Sequence, residues 1–101
     1  MDADVDDVDD EVQTELERVV RRWQQLPLGR ALPAVPGVSA LVQDLADGVS
    51  DATGTPRATV PDLGPAVLMD QLRVMVHDWQ GAGLSPQDLG RRLTALRRTL
   101  P

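Results

Sequence analysis

Val12, Leu16, Val19, Trp23 and Leu26 step by 4, 3, 4 and 3 residues, the spacing that puts side chains on one face of an α-helix. A first helix is therefore predicted from Glu11, with Asp9, Asp10 and Glu11 near its first turn. Carboxylates there accept free backbone N–H groups and oppose the positive end of the helix dipole. Pro27 ends the helix because it has no N–H to donate and clashes with the preceding turn. The segment Pro27–Gly37 holds three Pro and two Gly and is predicted as a loop whose Leu28, Ala31, Leu32 and Val35 pack down onto the core.

Val38, Leu41, Val42, Leu45 and Val49 mark a second helix, with Gly48 near its C-terminal end in the place of a left-handed cap. Ser50–Gly64 gathers Gly54, Pro56, Pro61 and Gly64 into the longest unpatterned connection, expected as the most mobile internal loop. A third helix starts after Asp62 with Pro65 in its first turn. It carries Leu68, Leu72, Met75, Val76 and Trp79 as its stripe and ends at Gly81-Ala82-Gly83. The fourth has the clearest start. Ser85 caps it, Pro86 takes the first helical position and Asp88 follows three residues after the Ser, before Leu89, Leu93, Leu96 and Leu100.

Four such stripes predict an all-α fold, a small four-helix bundle in which near-antiparallel helices bury their apolar faces. The chain has no Phe, no Tyr and only two Trp, so its core is aliphatic. Residues 1–10, MDADVDDVDD, contain six Asp and too little apolar surface to offset ordering, which reads as a solvated acidic tail. Residues 11–101 read as one helical domain. Aligning 16–28 with 72–84 pairs Leu16 with Leu72, Val20 with Val76, Trp23 with Trp79, Gln24 with Gln80 and Leu28 with Leu84. The simpler reading is that two amphipathic helices ending in Trp-Gln resemble each other; the alternative is a duplicated helical hairpin.

Charge and cysteine content narrow the classes. The chain has no Cys, which excludes a disulfide scaffold and a thiolate zinc site. Its start lacks the basic and apolar regions of a secretory signal, and the longest uncharged stretch, Ala31–Gln43, is broken by Pro33, Pro36 and Gly37. A cytoplasmic protein with no membrane segment is expected. The net charge of −6 is uneven: residues 1–17 carry nine acids and no base, and residues 18–101 carry ten Arg against seven acids, a net of +3.

Candidate chemistry fails on spacing. Asp2, Asp4 and Asp6 begin like a calcium loop, but the Gly and Glu such a loop needs at its sixth and twelfth positions are Asp7 and Gln13. His77 is the only histidine and is expected at the surface of the third helix, beside Asp78 and one turn from Arg73. Asp44, Asp47 and Asp51 read as the wet side of the second helix. Gly48–Gly54 lacks the Gly-Lys-Ser/Thr ending of a phosphate loop. No acid–base pair, metal set or cofactor motif is present in the sequence, so an enzyme is not expected.

The segment Leu72–Leu93 contains Ala82-Gly83-Leu84-Ser85-Pro86-Gln87-Asp88-Leu89-Gly90-Arg91-Arg92-Leu93, which resembles the entry into a repressor-type helix-turn-helix. The resemblance implies a following tight turn and a recognition helix that enters the major groove. Here Thr94-Ala95-Leu96 continues the leucine stripe instead. Arg91, Arg92, Arg97 and Arg98 could face phosphates, but Asp88 is placed to pair with the first two, and the last two sit at the negative end of the helix dipole. A chain of net charge −6 also lacks the basic field of nucleic-acid binders. DNA binding through 72–98 is therefore the alternative, and a protein-interaction module the leading expectation. Its partner is another protein or itself as a homodimer. The candidate surface is Leu28, Leu32 and Val35 in the apolar loop together with the four arginines, and the leucine stripe of the fourth helix offers a second route to a homodimer.

The stripe assignment makes both tryptophans core residues. Trp23→Ala and Trp79→Ala are each expected to cost about 3–5 kcal/mol, measured by denaturant unfolding; wild-type-like midpoints would refute it.

Overall fold

The computed structural model describes residues 3–101, the side chains from Asp7 onward. Its elements are α1 (Ala3–Gln25), α2 (Leu28–Ala31), a 3₁₀ turn (Leu32–Ala34), α3 (Val35–Thr53), α4 (Leu68–Gly81) and α5 (Pro86–Thr99), with no strand among the described residues. The four long helices bear out the all-α bundle. Their stripes form one continuous core: Val12, Leu16, Val19 and Trp23 from α1, Val38, Leu41, Val42 and Leu45 from α3, Leu68, Leu72, Val76 and Trp79 from α4, and Leu89, Leu93 and Leu96 from α5. No polar or charged residue is buried among the described residues, so aliphatic burial carries the fold.

Four boundaries differ from expectation; one is the start of α4, which begins at Leu68 and leaves Pro65 in a turn over residues 65–67 ahead of the helix. Residues 3–10, expected as a tail, are helical and continue α1. Met1 and Asp2 lie outside the described residues. The expected loop Pro27–Gly37 is largely helical, because its prolines fall at helix starts. Pro27 is the N-cap of α2, and Pro33 and Pro36 are the second residues of the 3₁₀ turn and of α3, in the first turn where no N–H donor is required. The C-terminal cap of α3 is Gly54, at φ +72° with its N–H on the Ser50 carbonyl, and not Gly48.

Gly48 serves a packing role instead. The Trp79 ring lies so close that a Cβ at Gly48 would sit 2.7 Å from Cζ3. Trp79 Nε1 donates to the Ser85 carbonyl at 2.9 Å, and the Arg92 guanidinium lies 5.6 Å from the ring centroid, within cation–π range. One side chain thus ties α3, α4 and the start of α5 together. The Ser85 cap forms as the sequence predicts, its hydroxyl accepting from the Asp88 N–H at 3.1 Å.

The long helices pair as one couple from the two ends of the chain and one couple adjacent in it. α1 lies along α5, and α3 along α4. Val12 meets Gly90 and Glu15 meets Arg97, so α1 and α5 run in the same direction. Gly48 meeting Trp79, together with Gln43 and Gln71 both reaching the segment that returns the chain, gives α3 and α4 the same sense. The first helix of each half therefore lies parallel to the second helix of the other, a layout compatible with the match between 16–28 and 72–84. Parallel neighbours need a long return connection. Residues 54–67 provide it, running back along α3 and α4 as an extended strap.

Gly48→Ala is expected to destabilise by about 1–3 kcal/mol through overpacking against Trp79, reversing the gain of roughly 1 kcal/mol that Gly to Ala brings to a helix interior. Gly90→Ala, whose Cβ would meet only Val12 Cγ2 at 3.9 Å, is expected to stabilise by about 0.5–1 kcal/mol. Equal effects of the two in urea unfolding would contradict the Trp79 seat.

Candidate functional site

The Pro27–Gly37 segment divides into two faces. Ala31 is buried, and Ala34 and Val35 pack against the core, so Val35 is not free to serve as a docking residue. Leu28 is 65% exposed and Leu32 49% exposed, against the expectation that they pack inward. The short helix explains the split: with Ala31 turned to the core, Leu28 and Leu32, four residues apart, share its outer flank. The leucine stripe of α5 is buried within the chain. It is thus already partnered, which removes it as a surface for pairing.

The four arginines of α5 do not form one free face. Arg97 Nε donates to Glu15 Oε2 at 2.7 Å and its Nη2 to Oε1 at 3.3 Å, a fork across the α1/α5 seam. That fork holds the Glu15 carboxyl below its ordinary pKa, opposed by partial burial and helped by the Thr94 hydroxyl. Arg92 Nε donates to Asp88 Oδ2 at 3.3 Å and Arg91 lies 3.8 Å from Asp88 Oδ1, as the i+3 and i+4 spacing predicts. Arg98 is exposed. Three of the four are thus engaged by carboxylates of the same chain. Arg18, Arg21, Arg22 and Arg97 also line one shallow depression of about 300 Å³. It lies where the C-terminal halves of the parallel helices α1 and α5 come side by side, and cations compensate two negative dipole ends there.

A second region carries no periodic signal in the sequence. Gln43 on α3 holds the strap by both ends of its amide, accepting from the Val60 N–H at 2.9 Å and donating to the Ala58 carbonyl at 3.0 Å. Gln71 on α4 donates to the Pro61 carbonyl at 2.9 Å. Arg57 forks onto Asp51 at 3.0 and 2.6 Å, which lowers the Asp51 pKa and raises that of Arg57. The strap expected as the most mobile loop is therefore pinned at three points. Between it and α3/α4 lies an open groove of about 470 Å³, with Ala46, Val49, Val60, Val74 and Met75 on its walls and Asp70 and Asp78 on its rim. Val74 is 52% exposed.

The remaining candidates are dispersed. His77 is exposed, as expected; Asp44 is exposed, and Asp47 accepts from Gln43 at 2.9 Å. Asp2, Asp4 and Asp6 fall outside the described residues or side chains. No group of three metal-ligating side chains converges among the described residues, and no described helix is long and apolar enough to cross a membrane. Comparison with known proteins returns no match: no family model fits the chain, and no curated protein or solved structure is detectably similar to it.

The Glu15–Arg97 fork makes a signed pH prediction. Because the folded pKa of Glu15 is lowered, its contribution is present at neutral pH and is lost as pH falls through that lowered value. Glu15→Gln is expected to melt about 2–4 °C below wild type at neutral pH. The two should converge below the carboxylate range; a constant difference across pH would refute the ionic origin.

Proposed function

We propose that this protein is a helical protein–protein interaction module, self-association included. The observation that carries the reading is that large aliphatic side chains stand outside an otherwise well-buried core: Leu28, Leu32, Leu63 and Val74 are each about half exposed or more. Three of these frame definite features, Leu28 and Leu32 the outer flank of α2 and Val74 the groove beneath the strap. Leu28 and Leu32 share one flank, and an apolar patch held out of the core costs solubility and marks a docking surface. The groove supplies the concavity in which a partner's anchor side chain is desolvated.

DNA binding through 72–98 is supported less well. Its phosphate contacts would come from Arg91, Arg92, Arg97 and Arg98, and three of these already face Asp88 or Glu15. Contacts to DNA would have to compete with those pairs and would show a steep salt dependence.

The test is affinity purification of the tagged chain from lysate of its source, with and without nuclease, beside the Leu28→Ser/Leu32→Ser variant. A stoichiometric, nuclease-resistant partner lost in the variant, with the variant's melting unchanged, is the expected result. Recovery of nucleic acid alone, or a partner set indifferent to the two substitutions, would overturn the reading.

A further inference from the structure

The apolar groove with its two acids is matched in chemistry by the exposed Leu28 and Leu32 and the exposed arginines that precede them. Asp70 and Asp78 have no cation within 4.0 Å among the described residues. Asp70 lies in the first turn of α4, where an acid favours the helix. Asp78 lies in the last turn of α4, where a carboxylate opposes the helix dipole, so helix energetics do not account for it. At the other end of the charge distribution, Arg21 and Arg22 are exposed near the end of α1, with no carboxylate within 4.0 Å among the described residues. Leu28 follows α1 by three residues, so its Cα lies within about 11 Å of the last residue of that helix. The chain therefore displays two exposed leucines a short stretch after a pair of exposed arginines, and elsewhere an apolar groove lined in part by two acids with no cation within 4.0 Å among the described residues.

Resting on the interaction-module reading, we propose that the groove between the strap and α3/α4 receives the Leu28 and Leu32 side chains of a second copy of this chain, with Arg21 and Arg22 of that copy facing Asp70 and Asp78. The contact cannot form within one molecule. Leu32 precedes the start of α3, and the groove opens on Ala46 and Val49 in that helix's C-terminal half. The two are held apart by a rigid rod of about 16–20 Å. Reciprocal exchange, with the leucines of each copy in the groove of the other, closes a two-fold pair. The groove's size falls within the range of sites that enclose a few apolar groups. The contact is small for a protein interface, so the dimer is expected to be weak, in the micromolar range, and weaker still at high salt.

Sedimentation velocity on the full chain tests this, from about 1 to about 500 µM, a range that brackets a micromolar equilibrium. The wild type is expected to shift from monomer to dimer with concentration. Leu28→Ser/Leu32→Ser, Arg21→Glu/Arg22→Glu and Asp70→Arg/Asp78→Arg should each weaken dimerisation about tenfold or more, and combining the two charge reversals should restore it to within about threefold. Circular dichroism melts of every variant separate loss of folding from loss of contact. A wild type that stays monomeric throughout overturns the second copy as occupant, as does a dimer indifferent to these substitutions or charge reversals that do not rescue each other. A monomeric wild type that still holds a nuclease-resistant partner leaves the module reading standing, so failure of one is distinguishable from failure of the other.

Discussion

Trp79 can reach the core only because residue 48 has no side chain. Its ring approaches α3 closer than any Cβ allows, and the close approach draws α3 and α4 together along their length. The same ring presents Nε1 to the Ser85 carbonyl, which fixes where the chain turns out of α4. Ser85 in turn caps α5 through its hydroxyl, and Arg92 returns from α5 to cover the ring face. Helix spacing, turn position and helix start are thereby coupled through one side chain, in a core that has only one other aromatic residue to share the task.

Pairing α3 with α4 in parallel has a second consequence. Antiparallel helices can be joined by a few residues, but parallel ones require the chain to travel back the length of a helix. The strap does so without secondary structure of its own, and its backbone groups are partly satisfied by two glutamine side chains that stand on the helices it crosses. A groove then lies between strap and helices, lined by residues of all three segments.

Parallel pairing also organises the charge. The C-terminal halves of α1 and α5 come together and attract the arginines of both helices, while α3 and α4 bring Asp47, Asp51 and Asp78 toward their own C-terminal ends with Arg57 as the cation from the strap. Arginines gather at the C-terminal ends of α1 and α5, whereas α3 and α4 together carry five Asp against one Arg. A net charge of −6 conceals this entirely, because summation over the chain discards where charges lie.

Periodicity alone determined the four amphipathic helices and nearly every core side chain, since a 3.6-residue repeat of apolar positions has only one economical burial. It also located the Ser85 cap, a signal confined to four consecutive residues. The prolines of 27–36 carry no decision in the sequence, because proline both ends and begins helices and its effect depends on which side of it the helix lies. Leu28 and Leu32 could not be assigned inward or outward before the position of Ala31 oriented their short helix. Which helices pair, in which sense, and that Gly48 is a seat for Trp79 and not a cap, were decided only by tertiary structure. A stripe records that a face is buried and carries no mark of what buries it. The groove beneath the strap was invisible for the same reason, its walls being drawn from residues up to about thirty positions apart that share no spacing.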